Sequence, residues 1–266
     1  MTNFIKYEQK DAIVTLTMNR PEERNALSGD GQFQAFVDVC ERIKKDESVS
    51  VVILTGSGSA FSAGGNVKDM RDRKGLSNGN PYQIRNNYRH DIQNIPLSLY
   101  NLDVPTIAAV NGAAIGAGLD LACMCDIRIA SESAKLTTAF AKVGFPGDFG
   151  GSYFLTQMIG TAKARELYYL SEVLSADKAL EIGIVNKVIP DNKFFEESDK
   201  IVNQIATGPS IAYRYMKTNM NIAELGDLNQ SLDNEAMHQT LCRFTEDHQN
   251  ATKAFVEKKK PVFTGS

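Results

Sequence analysis

The chain has 266 residues, 42% of them hydrophobic and 23% charged, a balance that weighs against both intrinsic disorder and a membrane-spanning protein. Its formal net charge of -3 gives no general attraction for nucleic acid or an anionic bilayer, so an anionic ligand has to be met by a local cationic patch. Cys40, Cys123, Cys125 and Cys242 form neither a CxxC pair nor a clustered framework, which predicts reduced core thiols in a cytoplasmic, disulfide-free protein.

The N-terminal stretch MTNFIKYEQKDAIVTLTMNR carries acids early and no basic region ahead of an apolar run, so a strand pair is expected and not a targeting segment. IVTLTM (13–18) is β-branched and alternating, and the polar NRPEERNAL after it reads as a turn before a helix. That helix is expected over about 29–45, with Phe33, Phe36, Val37, Cys40 and Ile43 sharing a face. VSVVILTG (49–56) is a continuous apolar run ended by glycine, which predicts a strand buried on both faces. GSGSAFSAGGN then reads as a loop. Residues 71–89 are polar and rich in turn formers, and their first part is expected to be a mobile loop. From 82 to 102 a helical pattern returns, with Ile92, Ile95, Leu99 and Leu102 on one side and Pro96 as the expected kink.

VPTIAAVNG (104–112) and CDIRIAS (125–131) predict two further buried strands. VVILTG before SAGGN, and TIAAVNG before IGAGLD, repeat one arrangement of strand, small-residue turn and glycine-rich segment. The repeat predicts stacked strand-turn-helix units of one spiral. After residue 160 the chain reads mostly helical, apart from the short apolar run GIVNKVIP, and the last helices are expected to form a cap or an oligomer interface.

Two constellations carry candidate chemistry. SAGGN (62–66) and IGAGLD (115–120) place glycine-rich turns at two strand ends, so the N–H groups of Gly65 and Ala117 can converge on one oxygen. Removing one such donor typically costs about 2.7–4 kcal/mol of transition-state stabilisation. The alternative is that the glycines merely permit tight turns. A phosphate cradle is disfavoured, because GSGS lacks the P-loop lysine and IGAGLD is not a GxGxxG fingerprint. The second constellation is Asp120 with Asp148. Asp148 sits among Pro146, Gly147, Phe149 and Gly150, where desolvation raises a carboxylate toward the range of a general base, or it caps a helix over 150–159. Asp120 is either part of that chemistry or a buried acid satisfied by hydrogen bonds. His90, His238 and His248 are scattered and fit neither a metal site nor a triad. Lys68, Arg71, Arg73 and Lys74, and the run Lys258 to Lys260, read as solvated faces or as phosphate contacts.

Several ordered motifs are similar to those of the crotonase superfamily, the enoyl-CoA hydratases and isomerases. They are NRPEERNAL (19–27), AFSAGGNVKDM (60–70), VPTIAAVNGAAIGAGLDLACMCDIRIAS (104–131), FAKVGFPGDFGG (140–151) and LSADKALEIGIVNKVI (174–189). The resemblance implies an α/β fold, a crotonase-like spiral of ββα turns over residues 1–195 with a C-terminal helical domain over 196–266. It also implies a homotrimer or a dimer of trimers acting on an acyl-CoA thioester, with no separate cofactor, no metal, no nucleic acid and no membrane partner.

By the same resemblance, Gly65 and Ala117 hold the thioester oxygen. Ala63, Gly64, Asn66, Val67 and Lys68 line the CoA, Arg24 lies near its phosphates, and the basic C-terminal residues reach CoA on a neighbouring subunit. Asp120 takes the place of the first hydratase glutamate. Phe140 takes the place of the second and lines the substrate without acid or base chemistry. Asp148 falls where isomerases and aryl-CoA dehalogenases of the family carry their essential carboxylate. Isomerisation or hydration of an enoyl-CoA is therefore the leading expectation. Dehalogenation, with His90 as the candidate to activate water, and thioester hydrolysis are alternatives within the fold. A noncatalytic acyl-CoA binder, an RNA-binding relative and a serine protease of a related spiral are alternatives outside it. The acyl pocket is expected from residues 71–100 and the C-terminal helices, with Phe140, Phe149, Tyr153 and Phe154 as candidate walls.

Overall fold

A computed structural model describes residues 4–27, 29 and 31–266. β1 (Ile5–Lys10) and β2 (Ile13–Met18) form the expected antiparallel pair, and α1 (Gln32–Lys44) buries Phe33, Phe36, Cys40 and Ile43, with Val37 half-buried. Three strand pairs follow. β3 (Val51–Gly56) is followed by β4 (Ala60–Ser62), β5 (Thr106–Val110) by β6 (Ala113–Ile115), and β7 (Ile127–Ser131) by β8 (Lys135–Thr137). The stretch 56–66, expected to be a loop, thus contains a strand. β4 is only three residues long and lies among glycines and serines, so its pairing and not its composition makes it a strand.

The first strand of each pair joins a six-stranded sheet of order β1-β2-β3-β5-β7-β10, where β10 is Lys187–Ile189. The second joins a four-stranded sheet of order β4-β6-β8-β9, where β9 is Leu174–Ser175. Every pairing from β2 onward in the large sheet is parallel, as are β4 with β6 and β6 with β8. The chain therefore advances through both sheets together, which is the spiral that the internal repeat predicts.

β3 is buried along its whole length because the large sheet is covered on both faces. Val52 and Leu54 join the main core with Leu16, Phe36, Phe61 and Leu99. Val51 and Ile53 pack with Ile107, Ile129 and Phe194, the last from α8 (Phe194–Ala206). Close passage between turns of the spiral needs glycine: a Cβ on Gly64, at φ +73°, would lie 3.1 Å from the Ala117 nitrogen.

Between β4 and β5 run α2 (Val67–Asp72), a 3₁₀ turn at Gly75–Ser77, α3 (Pro81–Asn87), a π-helical turn at Tyr88–Ile92 and α4 (Asn94–Tyr100). The single helix expected over 82–102 is thus divided. Its irregular part is the π turn and not Pro96, which lies in the first turn of α4, where a missing N–H costs little. Ile92, Ile95, Leu99 and Leu102 are all buried as expected. α5 (Ala117–Cys123) follows β6. α6 (Gly151–Leu170) starts nine residues before position 160 and is bent at Gly160, φ +76°. Cys40, Cys123 and Cys125 are buried, Cys242 is half-buried, and all four are free thiols.

After α7 (Ala176–Glu181) and α8 come α9 (Ser210–Leu225), α10 (Leu228–Arg243) and α11 (Glu246–Val256). α9 is tied to the sheet by the buried Lys217, which bonds Asp126 at 2.8 Å and the Val104 carbonyl at 3.1 Å. Among the described residues no helix is long and apolar enough to cross a membrane.

Candidate active site

The paired turns converge because their strands are neighbours. Ser62 of β4 is in register with Ala114 of β6, so Gly65 and Ala117, each three residues further on, leave the same sheet side by side. On one side the Leu27 N–H donates to the Gly64 carbonyl (2.8 Å) and the Ala63 N–H to the Arg24 carbonyl (2.9 Å), which holds the turn in place. The Asn66 side chain caps α2 by accepting from the Lys68 N–H. On the other side the Gly116 N–H donates to the Thr137 carbonyl, and Ala117 opens α5. Among the described residues neither the Gly65 nor the Ala117 N–H donates a hydrogen bond. Both residues line one cleft, together with Leu27, Asn66, Tyr88, Phe140 and Asp148.

Asp148 rides on a loop whose Gly144, Gly147 and Gly150 all adopt positive φ. The N-cap of α6 is Gly150, which offers no side-chain bond, so the capping alternative for Asp148 does not hold. Its carboxylate is free for chemistry, with Oδ1 buried and unpartnered. Burial pushes its pKa from 3.8 up to about 6, opposed by its own N–H and by the Tyr88 hydroxyl beside it. The Gln93 amide donates to the Asp148 carbonyl at 3.2 Å and so ties the loop to the end of the π turn.

Asp120 is wholly buried in the first turn of α5 and does not line the cleft. The reading of a buried acid satisfied by hydrogen bonds is overturned: among the described residues neither carboxylate oxygen has a partner. Burial, and next the charge of Asp148, raise its pKa well above 3.8; the adjacent Gly151 N–H opposes them without completing a bond. Of the two acids, burial and the neighbouring charge thus favour the neutral form more strongly at Asp120 than at Asp148. Gly151 has to be glycine, because a Cβ there would overlap the Asp120 carboxyl and sit 2.6 Å from the Tyr168 hydroxyl.

Tyr168 and Tyr88 are functional candidates that sequence reasoning missed. The Tyr168 hydroxyl is buried without a partner, and its ring stacks on Phe140 with centroids 5.9 Å apart and planes 7° off parallel. In TAKARELYYL it looks like one more core aromatic beside Leu167, and only the packing of α6 under the loop turns its hydroxyl toward the acids. Tyr88 lay in a stretch read as polar loop and helix.

Of the residues assigned to substrate, Gly65, Asn66, Ala117 and Phe140 share the cleft with Asp148. Arg24, Ala63, Gly64, Val67 and Lys68 are outside its lining, with Arg24, Val67 and Lys68 exposed. Lys74, Leu76, Ser77, Tyr88 and Ile92 line it from the expected 71–100 stretch, Asp69 and Met70 line it unforeseen, and among the described residues none of the lining comes from the C-terminal helices. Phe149 is entirely buried in the core. Tyr153 and Phe154 pack against Tyr100 instead of lining the cleft.

The sequence profile of the enoyl-CoA hydratase/isomerase family matches residues 8–266. The chain belongs to the enoyl-CoA hydratase/isomerase family. Membership makes it an acyl-CoA-processing enzyme of that family. It is 33% identical over 265 residues to the 1,2-epoxyphenylacetyl-CoA isomerase of Escherichia coli K12, spanning 100% of both chains. It is also 33% identical to the short-chain-enoyl-CoA hydratase of Clostridium acetobutylicum, over 97% of this chain and 96% of that one. The crystal structure of an enoyl-CoA hydratase from Bacillus anthracis superposes with a TM-score of 0.90 at 30% identity, covering 99% of this chain and 100% of that one.

Within this enoyl-CoA hydratase/isomerase chain, Phe140 presents a buried ring to the cleft and supplies no acid or base there. No histidine lines the cleft among the described residues. His90 is exposed and borders a separate cavity with Gly75, Asn87 and Asn94, so the water-activating role considered for it in dehalogenation has no geometric support.

Proposed function

We propose that this enzyme shifts a proton next to the carbonyl of an enoyl-CoA thioester, moving its double bond through an enolate. The observation that carries this reading is the juxtaposition in one cleft of two N–H groups without partners and one carboxylate with a free oxygen, that of Asp148. The thioester oxygen accepts from Gly65 and Ala117, and the charge that develops on it as the enolate forms strengthens both bonds. Ionised Asp148 removes the proton from the carbon beside the carbonyl and returns it further along the chain. Its pKa of about 6 leaves it charged at neutral pH yet more basic than an ordinary aspartate. Neutral Asp120 lies behind it and adds no second negative charge against which an enolate must form.

Hydration is the second reading, favoured by the unpartnered oxygens of Asp120 and Tyr168, which face each other across Gly151 and suit a bound water. Assays of 3-enoyl-CoA isomerisation and 2-enoyl-CoA hydration on Asp148→Asn and Asp120→Asn separate the two. Loss of isomerisation in Asp148→Asn alone supports the first reading. Hydration that depends on both acids supports the second, and full activity of both variants overturns each.

The surrounding assignments belong to the same reading. Ala63 to Lys68 and Arg24 form the CoA side, and α8 to α11 form a second, capping domain over 196–266. The exposed Leu225, Leu228, Leu232, Met237, Leu241 and Phe244 suit a trimer or a dimer of trimers, because monomers seldom leave so many large apolar side chains to water. Exposed Lys258 to Lys260 then reach CoA on a neighbour. Coenzyme A enters as part of the substrate, with no further cofactor, and the enzyme works in the cytoplasm. A binder without turnover would have no use for a carboxylate with a buried, unpartnered oxygen in its cleft. The net charge of -3 offers nothing to RNA.

A further inference from the structure

Beyond Asp148 the cleft opens into a second chamber that shares Met70, Ser77, Tyr88 and Asp148 with it. The throat has about 40 Å³ of free space and the chamber about 780 Å³. None of Arg24 or Ala63 to Lys68 lines this chamber, so it is separate from the residues assigned to CoA. An acyl chain whose carbonyl sits at Gly65 and Ala117 therefore runs past Asp148 into it.

The chamber is lined by the exposed Arg73, Arg85 and Arg89, and among the described residues its only carboxylate is that of Asp148. Among the described residues none of the three guanidinium groups has a hydrogen-bond or ion-pair partner; the arginines that do form ion pairs are Arg20, Arg71 and Arg214. Arg85 and Arg89 are four residues apart across α3 and the π turn, a spacing at which like charges destabilise a helix. Arg89 and Tyr88 both sit on that π turn, an irregularity frequently found at functional sites. Three unpartnered forks of donors around one cavity fit a carboxylate, which accepts bidentate bonds from arginine. Ile84, Phe145 and Pro146 supply the apolar wall for the methylenes before it.

We infer that the substrate is an acyl-CoA whose chain ends in a carboxylate, which Arg73, Arg85 and Arg89 receive in this chamber. The inference rests on the reading that Gly65 and Ala117 hold the thioester.

The test measures binding and not turnover, so it stands apart from the proposed proton transfer. Calorimetry compares glutaryl-CoA with pentanoyl-CoA, saturated thioesters of equal chain length, on the full-length protein and on Arg85→Met/Arg89→Met. Glutaryl-CoA is expected to bind at least about tenfold more tightly to the unmodified protein, and the ratio is expected to collapse toward one in the variant. Equal affinities in the unmodified protein overturn the inference. Parallel loss of both affinities in the variant also overturns it and assigns the arginines to the CoA phosphates. A failure of Asp148→Asn to lose isomerase activity sinks the proton-transfer reading and leaves the binding result untouched.

Discussion

Replacing Asp148 by asparagine is expected to move activity and stability in opposite directions. Asp148 is half-buried with one carboxylate oxygen wholly shielded, and its pKa stands at about 6 against an ordinary 3.8. That difference corresponds to about 3 kcal/mol held against the charged form. The folded protein thus binds this proton more tightly than the unfolded chain does. The stability tied to Asp148 is fully present below about pH 4, and it is lost as the pH rises through about 6. Asp148→Asn removes the charge and keeps the shape, so at pH 7 the variant should be more stable by up to about 3 kcal/mol, a few degrees in Tm for a chain of this size. At pH 4 the two proteins should melt together. The kcat/KM of the unmodified enzyme should fall about tenfold per pH unit below 6, and Asp148→Asn should lose activity at every pH. Thermal melts from pH 4 to 8 and a pH–rate profile measure both. A variant destabilised equally at all pH values, or an unmodified enzyme with a flat profile down to pH 4.5, refutes the reasoning.

Gly151→Ala places a methyl group on the Asp120 carboxyl and near the Tyr168 hydroxyl, so a loss of activity of at least about a hundredfold is expected in steady-state assays, with overpacking costing about 1–3 kcal/mol. Ala117→Pro removes one oxyanion donor at the first position of α5, where proline suits a helix; kcat should fall about 10²–10³-fold while circular dichroism stays unchanged. Tyr168→Phe keeps the stack on Phe140 and removes only the hydroxyl, so hydration, if present, should suffer more than isomerisation when both are assayed on one preparation. Lys217→Met removes the ammonium that bonds Asp126 and the Val104 carbonyl between α9 and the sheet; Asp126 is exposed and keeps its bonds from Thr106, so the cost in urea unfolding should be about 1.5–3 kcal/mol.

The spiral was legible in the sequence because its turns repeat. VVILTG and TIAAVNG are apolar along their whole length, as only strands covered on both faces are, and each is followed by a small-residue turn and a glycine-rich segment. β4 escaped notice because three residues of AFS carry no periodicity; pairing with β6 makes it a strand. The break before α4 was placed at Pro96, the residue with the visible backbone restriction, although the π turn that interrupts the helix uses ordinary side chains.

That Gly65, Ala117 and Asp148 share one cleft was also readable, since main-chain donors at strand ends and an acid among glycines are local features. Tyr168, the unsatisfied state of Asp120 and the arginine-lined chamber were not. Tyr168 is twenty residues from Asp148 in the chain, and Arg73, Arg85 and Arg89 sit in a polar segment that any solvated surface would match. Residue type and spacing determined the fold and the turns and pointed to Asp148 as the proposed base. Whether a buried acid finds a partner, where a tyrosine hydroxyl ends up and which cations share a cavity depend on contacts between distant segments, and those exist only once α3, α6 and the glycine loop are packed together.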